Sequence, residues 1–339
     1  MNEFSRELNK LGIKTKLIID SDIFDGFPSR KIQNWFQTKK KFNEIIREFH
    51  PDAILVDRQR HFGLASTETK IPLFVHVRGD FWTEMKWARE TLYKTFPKRI
   101  ALNKWEQIAN QCFENASAIL PICNYLEKRV KENYPKKTTK VMYQGINPEN
   151  WHKGTGMKLK HPCVGLLQSA VIWGKVQEML TLKKVLKDLP DVNFYWAGDG
   201  PYREKILLEL DKFENFHWLG NLQYPDKVRE YLSEIDIYAL ISGIDMSPLT
   251  LQEAQLMKRP IIATNVGGIP ELMSDKVTGF LVEKGNSDEL IEKISLLLND
   301  ENMMKIMGES GRRFIEDNFS WSKIAQEFLK FTKSHLEKD

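Results

Sequence analysis

Short apolar runs, each long enough for one strand, alternate with stretches of helical spacing along all 339 residues of the chain. That alternation restricts the fold more than any other feature. Strands separated by helices pair in parallel, because a parallel neighbour is reached only through a crossover connection. A first helix with Phe4, Leu8 and Leu11 on one face ends at Gly12, a good C-terminal cap. Strands are expected at Lys16–Asp20, Ala53–Val56, Leu73–Val77, Ala118–Pro121 and Lys140–Tyr143. A polar segment from Asn147 to Pro162, holding Gly154 and Gly156, reads as a linker. The pattern then restarts with strands at Val164–Leu167, Asn193–Ala197, Phe216–Leu219, Ile237–Leu240, Pro260–Thr264 and Gly279–Val282. Helices are expected between them at Val176–Leu186, Tyr202–Leu210, Pro225–Ser233 and Pro248–Met257. The expectation is an α/β chain of two doubly wound domains, 1–152 and 160–318, with a last helix, 319–339, that crosses back to the first. Ligands of such sheets bind beyond the carboxyl ends of the strands, here in a cleft between the domains.

Composition removes other classes. At 42% hydrophobic and 28% charged residues the chain can bury a core, which a disordered chain cannot. The net charge of +4 is too small for a nucleic-acid binder. Its distribution is uneven: residues 1–150 carry 26 Lys/Arg against 18 Asp/Glu, and residues 151–339 carry 24 against 28. The first half therefore favours anionic surfaces or ligands more than the second. Cys112, Cys123 and Cys163 are odd in number and lack C-x-x-C spacing, so neither a disulfide framework nor a zinc site is expected. With no apolar run near the roughly 18 residues of a spanning helix, and no signal peptide, a cytoplasmic location is expected.

The chemistry concentrates in Ile241–Val282, ISGIDMSPLTLQEAQLMKRPIIATNVGGIPELMSDKVTGFLV. Ser247 as N-cap and Pro248 at the first helical position would leave the amides of Leu249 and Thr250 free at a helix start. Such a terminus suits a phosphate through its dipole and unpaired donors. Asp245 lies just before this helix and Glu253 within it, so two carboxylates can approach one ligand. Gly267 and Gly268 follow a strand and allow close backbone approach.

This stretch resembles the donor site of glycosyltransferase family 4, retaining GT-B enzymes that use nucleotide sugars. The residues that carry the likeness are Pro248, Glu253, Ala254, Pro260, Ala263, Thr264, Gly267, Gly268, Glu271 and Gly279. Earlier in the chain, Ala197–Pro201 (AGDGP) is similar to the family's G-D-G-P turn and Trp218–Asn221 (WLGN) to its base-contacting loop. Gln144–Asn147 (QGIN) resembles the hinge motif and Phe319–Ile324 the start of the returning helix. The resemblance implies that Glu253 holds the ribose hydroxyls of the donor and that Asp245 lies by the sugar and phosphates. It implies that Lys175 and the Leu249 and Thr250 amides neutralise the diphosphate. Gly198, Asp199, Gly200 and Asn221 would line the donor, and Arg78 would come to it from the first domain. Ser169 stands where the family has an arginine, Arg78 where it often has a histidine, and Asp245 where it has a glutamate.

A further departure is the start of the chain, which opens with the helix that should follow a first strand and glycine turn. Either the start is truncated, which is the expectation here, or the first sheet is built differently. The implied activity is transfer of a sugar from a nucleotide-diphosphate sugar to a glycan, lipid-linked or small-molecule acceptor, with no metal or other cofactor. A GT-B nucleotide-sugar epimerase, or a lapsed enzyme kept as a nucleotide-sugar-binding subunit, are the alternatives. Asp20-Ser21-Asp22 spells a metal-binding D-x-D that is not expected to bind one, and no G-x-G-x-x-G follows a strand, against a nicotinamide enzyme. Residues 81–105 hold Phe81, Trp82, Trp87, Tyr93, Phe96 and Trp105 among six Lys/Arg. A core-packed helical pair with a solvated basic face is the plainer reading, and peripheral contact with an anionic membrane is the other.

Overall fold

A computed structural model describes residues 1–29, 31–90 and 93–336. The chain forms two compact units, Met1–Gln144 with Trp321–Asp339, and Gly145–Ser320.

The first unit is built on a parallel sheet of three strands in the order β1 (Ile54–Val56), β2 (Leu73–Val77) and β3 (Ala118–Pro121). Val75 stands opposite both Val56 and Ile119. All residues of β2 and β3 are buried, as expected of parallel strands covered on both faces. One face is covered by the helices Asn2–Lys10 and Trp321–Leu336, whose Phe4, Leu8, Trp321 and Ile324 pack on Phe74, Ala118 and Leu120. Two expected strands are corrected. The segment Lys16–Asp20 is irregular and runs into a short helix, Asp20–Ile23, with Leu17 and Ile19 exposed and so without a face to bury. Lys140–Tyr143 follows β3 through backbone hydrogen bonds from Lys140 to Ile119 and from Met142 to Pro121, but pairs only at the bridge Ile119–Thr139. The aromatic-basic stretch forms the helices Phe81–Glu90 and Phe96–Asn115. Half-buried Trp82 stacks on the buried Phe113 and half-buried Phe81 meets it edge-on, whereas Lys94 to Ile100 are all exposed.

The second unit is a six-stranded parallel sheet. Its strands are β4 (Cys163–Leu167), β5 (Asn193–Ala197), β6 (Phe216–Gly220), β7 (Ile237–Leu240), β8 (Ile261–Thr264) and β9 (Gly279–Val282). The spatial order β6-β5-β4-β7-β8-β9 places β4 between β5 and β7. The crossovers therefore leave in opposite directions on either side of β4. A crevice opens at such a switch point, beyond the carboxyl ends of β4 and β7. The expected helix at Val176–Leu186 is broken into Trp173–Val176, a 3₁₀ turn at Gln177–Thr181, and Leu182–Asp188. Among the described residues, no helix is long and apolar enough to cross a membrane.

Candidate active site

The loops beyond the carboxyl ends of β4, β5 and β7 are tied together before any ligand is considered. Gln168, just after β4, donates from Nε2 to the Ile241 carbonyl (3.0 Å) after β7, and its own carbonyl accepts from Trp196 Nε1 (2.9 Å). The turn after β5 lies hard against this loop. A Cβ on Gly198 (φ +154°) would sit 2.0 Å from the Gln168 carbonyl oxygen, and one on Gly200 (φ +153°) 2.5 Å from the Ala170 carbonyl carbon. Both positions need glycine for clearance and for backbone conformation. Asp199 is engaged: its Oδ1 accepts from the Gly200 amide (2.7 Å) and from Arg203 Nη1 (3.2 Å). Arg203 in turn lies over the Trp218 ring at 4.9 Å. Ser169 and Asn221 are exposed on the loops after β4 and β6.

The loop after β7 leads into the helix Leu249–Leu256. Its start differs from the expectation. Pro248 occupies the N-cap position with extended backbone (ψ 111°), not the first helical position, and Ser247 does not cap. The Ser247 hydroxyl is instead buried with no hydrogen-bond partner among the described residues. Leu249 and Thr250 still form the first turn, whose amides have no carbonyl one turn earlier to receive them. Thr250 is fixed by a 2.7 Å hydrogen bond from the Tyr238 hydroxyl of β7 to its Oγ1.

Four of the residues singled out in the sequence meet at this loop. Lys175 Nζ is 3.0 Å from Asp245 Oδ2. The Asp245 carbonyl accepts the Gly268 amide at 2.8 Å. Gly267 (φ +58°) lies so close that a Cβ there would be 2.1 Å from the same carbonyl. The Lys175 carbonyl accepts from the Gly243 amide at 2.9 Å, which anchors the lysine's backbone to the loop. The pairing thus sets one cation and one carboxylate next to a glycine pair at the end of β8.

Glu253 lies on the same helix, 2% exposed. Burial pushes its carboxyl pKa up to about 7, against a hydrogen bond from the Tyr224 hydroxyl that lowers it. Burial likewise pushes Tyr224 up to about 12, with the Glu253 charge adding to it. Burial raises the Tyr238 hydroxyl further, and the charges of Glu253 and Asp245 both add to it. Tyr224 was not singled out in the sequence; the only signal was its place in the loop after WLGN. The raised pKa has a consequence for stability. An unfolded glutamate releases its proton near its ordinary value of 4.5, and the folded one near 7. Stability is therefore lost as pH rises between those values, and the cost is constant above them. Glu253→Gln is expected to melt higher than the parent above pH 7, by up to about 3 kcal/mol of stability, with the gain gone below about pH 4.5. Thermal melts of both proteins across that range check this.

In the first unit, Arg78 follows the carboxyl end of β2 and Asp57 that of β1. Asp57 Oδ2 accepts from Arg78 Nη1 (3.0 Å) and its Oδ1 from His76 Nδ1 (2.9 Å). Arg78 Nη2 also donates to Gln144 Oε1 at 2.5 Å. Burial raises the Asp57 carboxyl, but His76 and Arg78 outweigh it and hold its pKa below the ordinary value. Asp57 escaped the sequence reading because nothing in the chain order links it to Arg78.

Residues 149–314 match the family of glycosyl transferases group 1. An uncharacterized glycosyltransferase of Methanocaldococcus jannaschii is 29% identical over 210 residues, 62% of this chain and 57% of that protein. N-acetyl-alpha-D-glucosaminyl L-malate synthase of Bacillus anthracis is 27% identical over 57% of this chain and 53% of that protein. The chain thus spans little more than half the length of these curated relatives. Among solved structures, sucrose-phosphate synthase from Thermosynechococcus elongatus superposes with a TM-score of 0.71 at 15% identity, over 88% of this chain and 77% of that one. Anabaena HepE in complex with UDP and glucose gives a TM-score of 0.67 at 17% identity, over 87% and 81%. The two Rossmann-like units have the fold of GT-B glycosyltransferases, and the segment 149–314 is similar to the glycosyl transferases of group 1.

Proposed function

We propose that the protein is a retaining glycosyltransferase that moves a hexosyl group from a nucleotide-diphosphate sugar to a hydroxyl of a glycan, lipid-linked or small-molecule acceptor in the cytoplasm. The observation that carries this reading is the convergence of Lys175, Asp245, Gly267 and Gly268 beside the first turn of Leu249–Leu256, with buried Glu253 on the same helix. As the glycosidic bond stretches, negative charge grows on the departing diphosphate. Lys175 and the Leu249 and Thr250 amides meet that charge with donors already fixed in place, the arrangement that lowers such barriers most. Asp245 holds the lysine and faces the sugar side of the leaving group. Gly267 and Gly268 let backbone come up to the sugar. Glu253 accepts the ribose hydroxyls. Gly198, Gly200 and Asn221 line the base side, where Asp199 acts through its pair with Arg203. Arg78 serves the acceptor side.

Retention follows from attack on the face from which the leaving group departs. The acceptor oxygen bonds to the anomeric carbon as the bond to the diphosphate oxygen breaks, and the acceptor's proton passes to that phosphate oxygen. No side chain is needed as a nucleophile.

A carboxylate accepts two ribose hydroxyls better than a carboxylic acid does. Affinity for the donor is therefore expected to fall as pH drops below about 7, where Glu253 takes up its proton. The direct experiment is a panel of nucleotide sugars scored by the rise in melting temperature, followed by transfer assays with and without acceptor. Release of the free epimer from donor alone would replace this reading with the epimerase.

A further inference from the structure

We propose that the first unit docks on an anionic lipid bilayer through two exposed apolar-basic arms, a contact independent of the sugar-transfer reading. One arm is the free start of the helix Phe96–Asn115, and the other is the 3₁₀ turn Ile32–Phe36. Phe96 is 78% and Ile100 47% exposed on the first; Phe36 is 82% and Ile32 67% exposed on the second. Scattered single apolar residues on a surface mean little. Here they come in pairs, two per arm, at segments exposed almost throughout: every residue from Lys94 to Ile100, and all but Asn34 from Lys31 to Thr38. Phe96 and Ile100, four apart, share one face of their helix.

The charge of the arms themselves is of one sign, and the acids that touch them, Asp25 and Glu68, are engaged by Asn34 and His61 and by Lys39. Neither 26–43 nor 91–105 contains an Asp or Glu. Among the described residues, Lys31, Lys40, Lys41, Lys94, Lys98 and Arg99 form no ion pair. Unneutralised bases beside exposed apolar tips match a surface that offers both anionic headgroups and an apolar layer beneath them.

The two arms are linked by two ring contacts and one hydrogen bond to backbone. Trp35 of the 3₁₀ turn packs on Phe27 at 4.8 Å between centroids, and the Phe27 carbonyl is 3.0 Å from His61 Nε2. The His61 ring then packs on Trp105 of the long helix at 5.3 Å. Ile100 and Phe96 lie about 8 and 14 Å further toward the start of that helix. Both arms therefore rise from a common base around His61. Phenylalanine tips on protruding segments enter a soft interface without needing a fitted pocket, while lysine and arginine stems extend to the headgroups.

Flotation of the full chain with phosphatidylserine-containing vesicles and with pure phosphatidylcholine vesicles, without any nucleotide sugar, tests the proposal. Binding is expected to the anionic vesicles and to be at least about tenfold weaker on neutral ones and at high salt. The pairs Phe36→Ser with Phe96→Ser, and Lys98→Glu with Arg99→Glu, should each lower partitioning by at least about tenfold. Lys187→Glu on the second unit should leave it unchanged, and melting temperatures confirm that all variants fold. Absence of binding to either vesicle, equal binding to both, or indifference to all four substitutions overturns the proposal. Because no donor is present, such a failure leaves the sugar-transfer reading untouched.

Discussion

Glu253→Ala is expected to cut sugar transfer by on the order of a hundredfold or more, the scale of loss when a reacting group is no longer held in position. The carboxyl is buried and its pKa is raised to about 7, so the fold keeps an unfavourable ionisable group at this spot. A group retained at a cost in stability is expected to act on a ligand. Its removal frees the Tyr224 hydroxyl as well, so the alanine variant alone would mix two effects. Glu253→Gln separates them. The amide fills the same space and can still accept from Tyr224, but it carries no charge for the ribose hydroxyls. The glutamine variant should therefore fold better than the parent above pH 7 and still transfer sugar poorly. A stabilised protein with near-normal turnover would remove Glu253 from the site.

Lys175→Met should lower turnover by on the order of a hundredfold to a thousandfold, the usual effect of deleting one preorganised donor to a developing anion. The loss is expected in donor affinity as well as in kcat, because Lys175 meets both the charge of the bound diphosphate and the charge that grows as the bond breaks. Methionine keeps the length of the stem but leaves Asp245, 3.0 Å away in the parent, without its cation. That stray carboxylate beside a diphosphate adds repulsion to the lost attraction. Lys175→Met with Asp245→Asn should accordingly recover part of the activity lost in the single variant, a coupling that double-mutant kinetics measures directly. Additive losses would show that the two side chains act apart.

Much of the second unit could be read in the chain because parallel strands buried on both faces appear as short unbroken apolar runs. Val164–Leu167 and Ile237–Leu240 are such runs, and each lies within a strand of the sheet. The same reading misplaced Lys16–Asp20, where an apolar pair sits in the open, because periodicity reports what could be buried and not whether a neighbour exists to bury it. The start of the Leu249–Leu256 helix moved by one position, since Ser-Pro offers two ways to cap. In the site, the spacing of Asp245 and Glu253 is local and visible in the sequence. The partners of those residues are not. Lys175 reaches Asp245 from the short helix after β4, Tyr224 reaches Glu253 from a loop after β6, and Asp57 reaches Arg78 from the end of a neighbouring strand. Such pairs exist only once the sheet has brought strand ends together, so no local pattern announces them. Asp199 shows the converse: a conspicuous Asp-Gly turn whose carboxylate is already satisfied by Arg203 and its own turn.

Calorimetric titration of a panel of nucleoside diphosphates and their sugars into the parent, Lys175→Met and Glu253→Ala weighs the central claim most directly. The account predicts saturable binding of at least one compound to the parent, weakened at least about tenfold in each variant, the loss of one charged hydrogen bond. Binding of equal strength in all three proteins, or none to the folded parent, would contradict it.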